Sequence, residues 1–234
     1  MSLTVSILIG ILGLFAGAAV WRVASNQAEK RPLLGSLSSA GIPEWLPIIG
    51  VSRTSGGARD RWRVPFEVLA GVFWGLAAHQ HGGKLDLAAV LVFSIPLGIV
   101  LLVDLWTRFI YTNLILGGIV AGLVFAAAES PSALLRSFVG MIAALLVFAL
   151  FFIMAAALYR NVNVVPFGLG DVYLAAMIGA MVRISWVAQA LFLGIILGGV
   201  AAALMLLSRR VSRRSAVAYG PYLCLGALLI LLKW

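Results

Sequence analysis

Cysteine is almost missing from this chain: among 234 residues there is only Cys224. It lies in a late apolar run, so the sequence can build neither a disulfide framework nor a cysteine zinc site. Histidine is nearly as scarce. His79 and His81 flank Gln80 in one short stretch with no third ligand close by in sequence, so no metal is expected. Charge is thin as well, with 11% Asp, Glu, Lys and Arg against 63% hydrophobic residues, and mean hydropathy is +1.10. This excludes a soluble globular domain and a disordered chain, and implies an all-α polytopic membrane protein whose first partner is the lipid bilayer. A net charge of +9 would suggest nucleic acid in isolation. Here the Lys and Arg residues fall between apolar runs, where they set topology and meet anionic lipid, so no nucleic-acid partner is expected.

What is present is a series of long apolar runs. Residues 3–21 resemble a signal peptide, but no Lys or Arg precedes the run and Arg22 follows it directly. That charge order favours a retained helix with its N-terminus outside. Spans of about 20 residues place helices at 3–21, 64–79, 86–104, 113–128, 133–158, 171–183, 185–207 and 218–232. Residues 171–207 could instead form one over-long helix interrupted by Arg183. Charge placement decides for about eight transmembrane helices. With eight, the inner side holds Arg22, Lys30, Arg31, Arg53, Arg59, Arg61, Arg63, Arg108, Arg160, Arg209, Arg210, Arg213 and Arg214, and the outer side only Lys84, Arg136, Arg183 and Lys233. Two regions follow. Residues 1–63 comprise the first helix and a cytoplasmic loop, whose Ile42-Pro43-Glu44-Trp45-Leu46-Pro47 stretch could rest on lipid headgroups. Residues 64–234 form the transmembrane core.

Acids are the scarcest charge, eight in all, and two of them stand at the edges of apolar runs: Asp104 in Leu102-Val103-Asp104-Leu105-Trp106 and Asp171 in Gly168-Leu169-Gly170-Asp171. Ionisable groups at membrane depth cost about 2.5–3.5 kcal/mol on insertion scales and mark function. The eight-helix topology ends the third helix at Asp104 and starts the sixth at Asp171, both at the cytoplasmic boundary. Gly168 and Gly170 are expected to permit positive φ and close approach of another backbone, with Pro166 stiffening the approach. Asp171, at the positive end of a helix dipole, suits a base; Asp104, at the opposite end of its helix with apolar residues behind it, suits an acid. A pair of carboxyls in contrasting environments is what an aspartyl protease needs, and such a pair titrates as a unit. Taken singly, Asp171 could be an N-cap and Asp104 could pair with Arg108.

These residues resemble the type IV prepilin peptidases, a family of Gly-x-Gly-Asp intramembrane aspartyl proteases. Gly13-Leu14-Phe15-Ala16-Gly17 with Trp21-Arg22 looks like the family's first helix. Arg63-Val64-Pro65-Phe66-Glu67-Val68-Leu69 is similar to the Arg-Tyr-Pro-x-x-Glu-Leu start of its second. Val103-Asp104-Leu105, with Thr107, Arg108 and Ile110, resembles the first catalytic motif, Gly168-Leu169-Gly170-Asp171 matches the second, and Tyr219-Gly220-Pro221-Tyr222-Leu223 resembles the start of the last helix. The resemblance implies catalytic Asp104 and Asp171, a substrate-positioning loop at Gly168 and Gly170, and cleavage of the basic leader of prepilins or pseudopilins at the bacterial inner membrane. It also implies S-adenosylmethionine as donor wherever the new N-terminus is then methylated, with Glu67 in that transfer or on the substrate amine. Proteolysis itself needs no cofactor.

Three departures are visible. The family's loop often carries paired Cys-x-x-Cys zinc motifs, and residues 22–63 contain no cysteine, which excludes zinc on that pattern and weakens the case for methyl transfer. The family's Ile-Pro-Asn is Ile110-Tyr111-Thr112-Asn113 here, and its Lys after the second aspartate is Tyr173. Two other readings fit parts of the pattern: a proton-coupled transporter relaying protons through Asp104 and Asp171, and a catalytically impaired relative that only assembles with pilus components.

Overall fold

The structure, a computed structural model, describes residues 2–29, 47, 60–81, 84–158, 168–208 and 218–234. Among these residues the secondary structure is entirely helical. The elements are α1 (Leu3–Ala28), a short 3-10 turn (Asp60–Trp62), α2 (Arg63–Gln80), α3 (Lys84–Thr107), α4 (Thr112–Glu129), α5 (Pro131–Leu158), α6 (Leu169–Leu207) and α7 (Gly220–Leu231). The Ile42–Leu46 part of the amphipathic loop stretch and the Arg209–Arg214 cluster lie outside the described residues, as does Pro166. By compactness the chain divides into residues 1–106 and 107–234. The sequence division at residue 63 follows composition instead.

In the first unit, α1 lies against α2 through glycines. A Cβ at Gly13 would stand 2.9 Å from the Ala70 carbonyl oxygen, and one at Gly17 would stand 3.0 Å from the Glu67 Cα. Lipid gives helices no hydrophobic reason to associate, so close backbone approach at small residues supplies the packing. In α3, Pro96 removes one backbone donor. One turn earlier, Ser94 Oγ donates to the Leu91 carbonyl at 2.7 Å and accepts from Trp74 Nε1 at 3.0 Å. Trp21 sits between Phe66 and Trp106, its ring centroid 5.8 Å from the first and 4.9 Å, edge-on, from the second.

In the second unit the first half of α6 is the core. Val172 and every residue from 174 to 183 are buried, as expected of a helix that is apolar all round. Two stripes of small residues face it: Gly118, Gly122 and Ala126 on α4, and Ala133, Ser137, Gly140 and Ala144 on α5. The second half of α6 packs on α7, with Gly194 against Leu223 and Gly198 against Tyr219.

The helical class holds, and the count of eight spans is not confirmed. Among the described residues, five helices are long and apolar enough to cross a membrane: α1, α3, α4, α5 and α6. Helix α2 carries Arg63, Glu67 and His79 within 18 residues, and α7 has only 12. The expected sixth and seventh spans are the two halves of the 39-residue α6, divided as expected at Arg183, where the backbone leaves helical geometry with φ 64° and ψ 171°. Straight, it would measure roughly 58 Å, about twice the hydrocarbon thickness, and the break divides it. Helix α1 also runs past Arg22 to Ala28, because Asn26 and Gln27 are buried rather than exposed as loop residues.

Candidate active site

Asp104 lies in the last turn of α3, 4% exposed, with Leu102 and Val103 also buried. The helix continues to Thr107, so the residue sits inside that turn rather than at its end. Arg108 then takes a left-handed backbone, φ 54°, which ends helical geometry. The following residues turn through an edge-on contact of Phe109 and Tyr111, with centroids 5.4 Å apart, and Tyr111 caps the start of α4.

Asp171 occupies the third position of α6, a helix that begins at Leu169 with Gly168 as its N-cap. The carboxylate Oδ2 accepts the Gly168 backbone N–H at 3.3 Å, and the Asp171 N–H donates to the Gly168 carbonyl at 3.1 Å. This is the side-chain half of a capping box, the other half being absent because glycine has no side chain. The helix start thus needs the acid at this spacing for local reasons too.

The expectation for the two glycines is corrected. Gly168 is extended, at φ −91° and ψ 148°, and no glycine among the described residues has positive φ. Gly170 is closely approached, though by a side chain rather than by another backbone: a Cβ there would stand 3.3 Å from both Cβ and Cδ1 of Ile110. The segment that follows the Asp104 motif in sequence therefore rests on the glycine beside Asp171. The Ile110–Gly170 contact had no signature beyond the presence of both residues in their motifs.

Glu67 is fully buried in α2 and accepts from Arg63 Nε at 2.7 Å, one helical turn away. The i, i+4 spacing could have signalled this pair in sequence. Glu67 and Asp104 belong to the first unit, whereas Gly168, Gly170 and Asp171 share one helix start in the second. Among the described residues no cluster of three or more His, Cys, Asp or Glu side chains could hold a metal. His81 instead sets Nδ1 3.0 Å from the Ala77 carbonyl at the end of α2.

A helical protein with five apolar spans, and with acids placed in the last turn of one helix and the first turn of another, belongs to the class of polytopic membrane proteins. Residues 91–203 match the model of the type IV leader peptidase family, so over that stretch the chain is similar to this family of peptidases. The matched stretch runs from the middle of α3 into the second half of α6 and includes Asp104, Gly168, Gly170 and Asp171. No curated protein and no solved structure matches the chain.

Proposed function

We propose that the chain is an intramembrane aspartyl endopeptidase that removes the leader from type IV prepilins or pseudopilins, with Asp104 and Asp171 as its catalytic pair. One observation carries this reading: the family match spans both acids, and each stands in a terminal turn of its helix. The Gly168 and Gly170 loop bears on it as well, since Gly168 is extended and exposed beside Asp171, as a site for an extended substrate strand requires.

In this reading the enzyme resides in the bacterial inner membrane with its N-terminus outside, and the leader is cut at the cytoplasmic face. Prepilin enters laterally, its apolar helix in lipid. Asp171 takes a proton from water as the water oxygen attacks the scissile carbonyl, and Asp104 gives its proton to the carbonyl oxygen. Collapse of the resulting diol breaks the C–N bond: the amine leaves with the proton held by Asp171, while Asp104 takes a proton from the diol hydroxyl that becomes the new carboxyl. The pair then holds one shared proton again, so the acid and base labels belong to one step of the cycle. No cofactor enters this sequence. Glu67, buried against Arg63, fits a role in setting the start of α2 rather than in holding a methyl donor, and no step is routed through S-adenosylmethionine.

The test is co-expression of the chain with a prepilin and a gel-shift assay for leader loss, with mass spectrometry of the new N-terminus reading methylation in the same sample. Asp104→Asn and Asp171→Asn are each expected to abolish the shift while membrane insertion is unchanged. Cleavage that survives either change refutes the pair.

A further inference from the structure

The proposed chemistry leaves a buried charged cluster at the break in α6 unused. Arg183 is 8% exposed, and its backbone, at φ 64° and ψ 171°, lies where glycine sits freely and other L residues rarely go. Such a conformation persists only when the surroundings over-determine it. Here they do. The guanidinium donates from Nη1 to Glu129 Oε1 at 2.9 Å and from Nη2 to Glu129 Oε2, a two-pronged pair, and its Cζ stands 4.6 Å over the Trp234 ring. Glu129 is the last residue of α4, where the helix dipole disfavours a carboxylate, so the guanidinium is what makes an acid acceptable there. One turn before the break, Ser137 of α5 donates its hydroxyl to the Ala180 carbonyl. Helices α4, α5 and the C-terminal residue thus all grip one point.

We propose that Arg183 is a positioning residue, which by pinning the far end of the buried first half of α6 sets the height and rotation at which that rod presents Asp171. The proposal rests on the reading of Asp171 as catalytic. A rod buried on all sides cannot bend to absorb a displacement, so movement at one end reaches the other. At the Asp171 end the register is reported by the contact of Ile110 on Gly170.

That contact supplies a readout independent of catalysis. In a Cys224→Ala background, Ile110→Cys with Gly170→Cys places two Cβ atoms about 3.3 Å apart, close to what a disulfide requires (about 3.5–4.5 Å). The full chain in membranes is oxidised and the rate of cross-linking measured. Prepilin cleavage is measured separately in chains without the two cysteines. Arg183→Leu is expected to slow cross-linking and to lower kcat about 100-fold, the scale of an ångström of misplacement, with KM nearly unchanged. Arg183→Lys, which keeps the charge, is expected to restore much of both. Should Arg183→Leu fail to fold, Glu129→Gln decides, with intermediate losses expected in both readouts. Parent-like cross-linking and kcat in whichever of these two variants folds overturn the proposal. If the parent chain does not cleave prepilin, the catalytic reading falls, while the cross-linking rates still decide whether Arg183 sets the register of α6.

Discussion

Glycine-to-alanine substitutions test the packing of the second unit with a control built into the same helices. At Gly140, a Cβ would stand 2.6 Å from the Ile184 nitrogen and 2.7 Å from the Arg183 carbonyl carbon and the Gly179 carbonyl oxygen. All three are backbone atoms at the break in α6 and cannot swing aside. Ordinary contact begins near 3.4 Å, so α5 and α6 must part by roughly 0.8 Å, which overpacking data put at about 1–3 kcal/mol. Gly179, on the facing helix, would meet the Gly140 carbonyl carbon at 2.7 Å and should behave alike. Gly117 on α4 and Gly199 on α6 have nothing within 4 Å of an added Cβ. There the same change should stabilise by up to about 1 kcal/mol through helix propensity alone. The assay is thermal unfolding of the four single variants in one detergent, with Gly140→Ala and Gly179→Ala expected below the parent and Gly117→Ala and Gly199→Ala at or above it. Four similar shifts would refute the close crossing of α5 and α6.

Other outcomes follow from the site. Asp171→Asn keeps an oxygen to accept the Gly168 N–H, so it should cost less than about 1 kcal/mol in thermal unfolding while abolishing leader cleavage; Asp171→Ala should lose both. Glu67→Leu leaves Arg63 charged and buried without its 2.7 Å partner, and a broken buried pair costs about 3–5 kcal/mol. The Arg63→Met, Glu67→Leu double variant should recover most of that loss, which a double-mutant cycle in detergent melts would measure. Because no cysteine other than Cys224 exists, treatment with a zinc chelator should leave the cleavage rate unchanged.

The helices were legible because apolar runs alternate with arginine clusters, and Arg183, an isolated charge in the longest run, marked the break in α6. Two boundaries were not. Arg22, Asn26 and Gln27 read as loop, yet α1 continues through them because burial overrides their polarity. The number of spans was not legible either, since hydropathy cannot say whether the short helices α2 and α7 cross the membrane. At the site, Asp104 and Asp171 could be read from their motifs and Glu67 from the stretch Arg63–Leu69, whereas its ion pair with Arg63 emerged only in the structure. The role of Gly168 could not, because glycine tolerates extended and left-handed backbone alike, and only the helix start shows that it is extended here. The Arg183–Glu129 pair joins residues 54 apart, a separation at which no local pattern operates.

The most direct test compares prepilin cleavage by the parent chain, Asp104→Asn and Asp171→Asn, each inserted in membranes to the same level. Leader removal by the parent and none by either variant is the predicted result. Processing at the parent rate by either variant would contradict the assignment of the two aspartates as the hydrolytic pair.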